Sequence, residues 1–300
     1  MDKKVSIMIS MVAILTLGSL IVSFNDVIVR LLSSKGNIFQ YLLARQLMMT
    51  AFIVPFWLRQ SKSKRSQGMP WVQISRAHLL ILGSGGVFIA LKYMSLATAN
   101  AVFYTAPIFT IVFATLFFKD KIRIYQMATA SIAFVGMLLT VKPDGISWAI
   151  IAALVTAVTL ALSNLLPRVL KHDTTNLSIM FWNNFYTLPT LVVLGLIFWE
   201  PISSDFLLFC LASCICSIAY QYSTVIAYRR VNASIIAIIE YSGLVFVALL
   251  GWLFFDEKLD SVAIFGIVLI IVPMVFQSYL DKKKLSEEDI VSGLPVSVTT

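Results

Sequence analysis

From Val5 to Leu280 the chain is a succession of long apolar runs broken only by short polar stretches. The runs cover roughly residues 5–32, 38–58, 77–96, 99–118, 123–141, 147–167, 177–199, 206–228, 233–255 and 261–280. Each is close to the ~20 apolar residues that a helix needs to cross a bilayer. They are continuously apolar rather than alternating, which excludes the strands of a membrane β-barrel. Only 13% of the 300 residues are charged and 59% are hydrophobic, whereas a soluble domain carries about 25% charged residues. Such a chain cannot cover itself with polar surface in water. The expected fold is all-α and integral to the membrane, with ten transmembrane helices and no separate soluble domain. The first run is too long for the core of a secretory signal and reads as an uncleaved span.

Lysine and arginine predict the orientation. With the N-terminus in the cytoplasm, 17 of the 23 basic residues fall on the cytoplasmic side, among them Lys3, Lys4, Lys62, Lys64, Arg65, Arg76, Arg168, Arg229 and Arg230. Three, Lys35, Lys142 and Lys258, fall on the other side, and Arg30, Arg45 and Lys92 lie within or at the edges of spans. This is a strong positive-inside bias. It predicts an even number of spans, a multi-pass protein of the cell inner membrane and two cytoplasmic termini. The net charge of +8 is then a topology device and not a footprint for nucleic acid. Cys210, Cys214 and Cys216 share one apolar run without zinc-ligand spacing, and read as small buried helix residues.

The second half echoes the first at an offset of 137 residues. Ala90–Ile122 (ALKYMSLATANAVFYTAPIFTIVFATLFFKDKI) aligns without gaps on Ala227–Leu259 (AYRRVNASIIAIIEYSGLVFVALLGWLFFDEKL). Leu116-Phe117-Phe118 and Lys121 fall on Leu253-Phe254-Phe255 and Lys258, within 7 identities over 33 positions. Five spans per copy is an odd number, so the second copy crosses in the opposite sense. Inverted repeats of this kind are typical of secondary transporters, which bind substrate between the halves near the midplane.

With these features the chain resembles the drug/metabolite transporter superfamily, in its EamA-like branch. The resemblance is carried by the five-plus-five layout with short loops, by Leu43-Ala44-Arg45 early in the second span and by Ala90-Leu91-Lys92-Tyr93 closing the third. Pro107 thirteen residues before Asp120, and Leu249-Leu250-Gly251-Trp252-Leu253-Phe254-Phe255-Asp256-Glu257 closing the ninth, add to it. Two positions depart from the family's habit: Leu244 replaces a proline and Asp120 a glutamate. The resemblance implies two EamA-like five-helix repeats, residues 1–142 and 143–280, followed by a polar cytoplasmic tail, 281–300. It also implies an alternating-access carrier for a small-molecule substrate, working as a monomer or homodimer without a cofactor. Within the family, Ser23-Phe24-Asn25-Asp26-Val27 and Thr140-Val141-Lys142-Pro143 are similar to stretches of S-adenosylmethionine uptake carriers of intracellular bacteria.

Charges inside spans are costly and usually face a cavity or a partner. Asp26 and Arg45 both lie about six residues from the outer ends of their spans, or ~9–10 Å deep at 1.5 Å per residue. At matching depth and opposite charge they are expected either to pair and lock two helices or to line a substrate cavity. Arg30, one turn above Asp26, is a second partner for it or snorkels to the interface. Glu240 has no basic residue at its depth, and is the candidate for proton coupling or for a cationic substrate. Trp182, Asn183, Asn184 and Tyr186 cluster in the seventh span, and Tyr220, Gln221 and Tyr222 in the eighth. Tyr104 and Tyr241 occupy equivalent repeat positions. Aromatic rings beside amides suit a flat or cationic solute, whereas Trp148 and Trp199 read as interfacial anchors. Gly83-Ser84-Gly85-Gly86 is expected to bring two helices into close contact.

No nucleotide-binding motif, catalytic triad or metal cluster is found in the sequence; His78 and His172 lie at span edges. A membrane-embedded enzyme needs a reactive cluster that is missing here. A non-transporting accessory subunit needs neither intramembrane charges nor an inverted repeat.

Overall fold

The computed structural model describes residues 3–119, 124–141, 147–170, 174–230, 242–258, 260–273 and 275–276. Among the described residues the elements are α1 (Lys3–Ser33), α2 (Ile38–Leu58), α3 (Pro70–Tyr93), α4 (Leu96–Phe103), α5 (Ala106–Phe118), α6 (Ile124–Val141), α7 (Trp148–Leu165), α8 (Asn176–Phe185), α9 (Leu188–Ile197), α10 (Ser204–Arg230) and α11 (Ser242–Phe255). A last apolar helix covers Ser261–Pro273. Among the described residues seven stretches are long and apolar enough to cross a membrane: Ala13–Ser33, α2, α3, the α4–α5 pair, Trp148–Val169, the α8–α9 pair and Ser204–Ala227. Three shorter apolar helices, Met127–Gly136, Gly243–Phe255 and Ser261–Pro273, accompany them.

Polar residues at the span edges decide where the helices start. Asn37 accepts from the backbone N–H of Phe39, Ser147 from Ile150 and Thr175 from Ser178, which satisfies donors that a helix N-terminus leaves without an intrahelical partner. Ser95 caps α4 by accepting from Thr98, and Met94 before it is extended. The turn between the third and fourth apolar runs is therefore at Met94–Ser95, and Thr98 and Asn100 lie inside α4. At the other end α3 begins at Pro70 rather than at residue 77, and Arg76 becomes part of it. Proline suits the first turn of a helix because it has no N–H to leave unsatisfied there.

Two apolar runs are broken in the same way. Phe103-Tyr104-Thr105-Ala106-Pro107 separates α4 from α5, and Phe185-Tyr186-Thr187-Leu188-Pro189 separates α8 from α9. In each the proline is the second residue of the following helix. In each the threonine hydroxyl donates to the carbonyl three residues back, Thr105 to Val102 at 2.7 Å and Thr187 to Asn184 at 2.6 Å. Each of these carbonyls also accepts the backbone N–H of the same threonine, at 3.0 and 3.2 Å, so the hydroxyl is a second donor that holds the side chain against the turn.

α5 ends at Phe118 and α11 at Phe255, 137 residues apart, and the residues that follow, Lys119 and Asp256, are both left-handed at φ 56° and 50°. This is the offset at which the sequence repeats.

α3 packs along α7, α1 lies against α10 and α11, and α2 against α8, α9 and α10. The glycine stretch seats the first of these contacts. Thr156 of α7 donates to the Gly83 carbonyl at 3.0 Å, and a Cβ on Gly86 would stand 2.5 Å from the Ala152 carbonyl oxygen. Large apolar side chains such as Phe56, Leu116, Phe117 and Trp252 point outward, as a lipid-facing surface requires. Trp71 and Tyr93, at the two ends of α3, are 61% and 71% exposed, and Trp148 and Trp199 are exposed as well.

Candidate functional site

A cavity of about 230 Å³ lies between α1, α2, α3, α4, α7, α8 and α10. Polar side chains reach it from almost every wall: Asn25 and Asp26 from α1, Arg45 and Gln46 from α2, Arg76 and Ser84 from α3, Asn100 from α4, Asn164 from α7, Asn183 from α8 and Gln221 from α10. Tyr41, Tyr104 and Tyr220 supply rings.

Arg45 is 7% exposed. Its guanidinium donates to the Tyr41 hydroxyl at 3.0 Å and to Ser84 Oγ at 2.9 Å, while its Nε has no partner. Tyr41 and Ser213 share a hydrogen bond of 2.9 Å, and Ser213 donates to Asn25 Oδ1 at 2.6 Å. A continuous polar chain thus runs from Arg45 across α2 and α10 to the neighbour of Asp26. Asp26 itself is 6% exposed and meets the side chain of Asn100.

Of the two alternatives expected for Asp26 and Arg45, a direct pair or a shared cavity wall, the second holds: both line the cavity and no salt bridge joins them. Depth along two helices does not determine which way each side chain turns about its axis, and Arg45 turns toward Tyr41 and Ser84. Arg30 does not serve Asp26 either, nor does it snorkel free. It pairs with Glu257, just past α11.

Of the other sequence candidates, Tyr104 and Asn183 line the cavity. Asn183 Oδ1 is buried without a hydrogen-bond partner. Trp182 and Tyr186 lie elsewhere. Trp182 donates to the Arg65 carbonyl at 3.0 Å and Tyr186 donates to Gln67, so both hold the loop between α2 and α3. Trp182 also stands edge-on to Trp57, 5.7 Å between centroids. Glu240 and Tyr241 lie outside the described residues.

Arg76 is the wall residue that the apolar-run boundaries hid. It is 4% exposed, lines the cavity, and donates from Nε to the Ser163 carbonyl at 3.2 Å. Pro70, placed to open a helix six residues earlier, was the signal that could have found it. Below Arg45, Gln46 donates to Asn184 and Asn184 to Gln221 at 3.0 Å, which ties α2, α8 and α10 together through amides.

The EamA-like transporter family is matched twice along the chain, over residues 9–142 and 145–279. An S-adenosylmethionine uptake transporter of Rickettsia bellii is 24% identical over 281 residues, 89% of this chain and 92% of that one. A pseudopaline exporter of Pseudomonas aeruginosa is 30% identical over 206 residues, 65% of this chain and 70% of that one. A solved crystal structure has the same fold, with a TM-score of 0.72 at 15% identity over 91% of this chain and 98% of its own.

Proposed function

Because the chain belongs to the EamA-like transporter family, we propose that it is a secondary carrier that moves a small zwitterionic metabolite across the membrane by alternating access. One observation carries the substrate class: a buried carboxylate, Asp26, and a buried guanidinium, Arg45, face one cavity without pairing with each other. Each has neutral hydrogen-bonding neighbours but no salt bridge, and a desolvated charge without a counter-charge is costly. A solute with an ammonium group for Asp26 and a carboxylate for Arg45 satisfies both at once. Arg45 Nε and Asn183 Oδ1 are buried without a hydrogen-bond partner, on two residues that line this cavity. Arg76 adds a second positive group to the wall.

The remaining parts of the proposal are two inverted five-helix halves, 1–142 and 143–280, ten spans, and both termini in the cytoplasm. Supporting them are the family match to each half, the three shorter apolar helices beside the seven long ones and the 17-to-3 distribution of basic residues. The driving force is an ion or solute gradient, with Glu240 the acid that exchanges a coupling proton. Uptake of S-adenosylmethionine is the more specific reading, favoured by relatives of that name over 89% of the chain; its methionine end bears both charges.

A thermal-shift screen of purified protein, followed by uptake into proteoliposomes, tests the substrate class. Compounds with an α-amino-acid group should stabilise the protein and enter the vesicles, while their carboxamide and des-amino analogues should do neither. Equal binding of the singly charged analogues defeats the zwitterion assignment. Orientation is tested separately. An impermeant thiol reagent applied outside intact cells should label Ser203→Cys and spare Ser63→Cys; the reverse pattern inverts the topology.

A further inference from the structure

Glu257 joins three elements at the end of the bundle opposite the basic loop. Its carboxylate pairs with Arg30, near the end of α1. The same carboxylate accepts the backbone N–H of Leu96 at 2.9 Å and of Ala97 at 3.3 Å, in the first turn of α4. Its own backbone N–H donates to the Gly251 carbonyl at 3.2 Å, which folds the connection after α11 back over that helix. Gly251 leaves room for this, since a Cβ there would stand 2.8 Å from Glu257 Oε2. The Arg30 guanidinium lies 4.1 Å from the centroid of the Phe255 ring.

This cluster sits directly over the cavity. Val29, the neighbour of Arg30, and Asn100, one turn along α4 from Leu96, both line it. We propose that the Arg30–Glu257–α4 cluster is the outer gate of the carrier, closed in this structure and opened when α1, α4 and the end of α11 move apart. The proposal rests on the carrier reading above.

Three features argue for a gate over a permanent brace. The Arg30 side chain is 24% exposed and that of Glu257 12%, so the pair lies at the edge of the bundle and is not sealed in its core. The cluster is assembled from residues of both halves of the chain, Arg30 and Leu96 from the first and Glu257 from the second, which is where alternating access requires a reversible contact. The opposite end of the bundle repeats its aromatic element. Phe118, the 137-residue counterpart of Phe255, has the Arg168 guanidinium 5.9 Å from its ring centroid. The same offset brings Arg30 onto Pro167, next to Arg168.

The test uses the full chain with Cys210, Cys214 and Cys216 replaced by alanine and a single cysteine at Val29. An impermeant thiol reagent is applied to right-side-out vesicles, so the readout does not depend on the identity of the substrate. Glu257→Gln and Arg30→Gln should each raise the rate of labelling at position 29 about tenfold, within the range of coupling between two conformational states. In a second variant, without the Val29 cysteine, Arg30→Cys and Glu257→Cys joined by a short bifunctional reagent that can be cleaved by reduction should stop uptake, and reduction should restore it. If the labelling rate of the folded protein is unchanged in both single variants, or if the cross-linked carrier still transports, the cluster is a brace and the gate is wrong. Faster labelling, together with uptake of a singly charged solute that the cross-link stops and reduction restores, would keep the gate and reject the substrate class instead.

Discussion

Replacing Arg45 with glutamine should weaken substrate binding about 10- to 100-fold, the loss expected when a charge-assisted hydrogen bond worth roughly 1.5–3 kcal/mol is removed. Titration of the purified variant by isothermal calorimetry reads the loss directly. The substitution keeps donors for Tyr41 and Ser84, the present partners of the guanidinium, so the wall is preserved while its charge goes. Asp26→Asn should cost a similar factor, and the two variants should differ in what they stop distinguishing. Arg45→Gln should bind a carboxamide analogue as well as the parent zwitterion, and Asp26→Asn should do the same for a des-amino analogue. In the protein without ligand, the effects of the two substitutions on stability should add, because no salt bridge joins the residues. Recovery of stability in the double variant would mean that the charges pair directly after all.

The second large effect falls on stability. Gly86→Ala should cost about 1–3 kcal/mol, the range for forcing an atom into a close-packed contact, and Gly86→Leu should fail to give folded protein. The added Cβ would stand 2.5 Å from the Ala152 carbonyl oxygen and would meet Thr156 as well. A carbonyl inside α7 cannot move without displacing the helix. Gly85→Ala is the control: its nearest neighbour is Ile38 Cδ1 at 3.8 Å, an ordinary contact. Fluorescence-detected size exclusion after heating ranks the three variants; equal survival of Gly86→Ala and Gly85→Ala would refute the packing argument. Activity should follow stability here, because Gly83, Thr156 and Thr159 at this contact also line the cavity.

Much of the architecture was legible because lipid simplifies the pattern. A span must be apolar over its whole length, so Ile38–Leu58 could be read from hydropathy to the residue. The helix breaks at Tyr104–Thr105 and Tyr186–Thr187 were not legible that way, because they interrupt the backbone without interrupting the apolar run. Their trace is the pair of prolines, Pro107 and Pro189, each two residues beyond a threonine. The start of α3 is hidden for the opposite reason. Residues 70–76 contain Gln73, Ser75 and Arg76 and look like a loop, yet Gln73 and Arg76 are buried against the bundle. In the site, sequence gave Asp26 and Arg45 their depth but not their facing. Hydropathy carries no information on rotation about a helix axis when every face is apolar, so a shared cavity was predictable and a direct pair was not. Glu257 was visible only as an acid closing a span. Its reach back to Leu96 and Arg30 depends on the left-handed turn at Asp256 and on the space over Gly251, neither of which has a hydropathy signal.

The exposed rings at the two ends of α3 make that helix a ruler. Trp71 and Tyr93 are 22 positions apart in one continuous helix, a separation of ~33 Å at 1.5 Å rise per residue. Hydrocarbon cores are about 30 Å thick, so the two rings reach both headgroup regions when α3 is only slightly tilted. A thinner host membrane is met by leaning α3 further, and a thicker one only by compressing the lipid around it, because the helix has little extra length to offer. α3 packs along α7, and the Gly83–Thr156 contact between them lines the cavity. A lean of α3 therefore bears directly on a contact that forms part of the cavity wall, and bilayer thickness has a mechanical path to that wall.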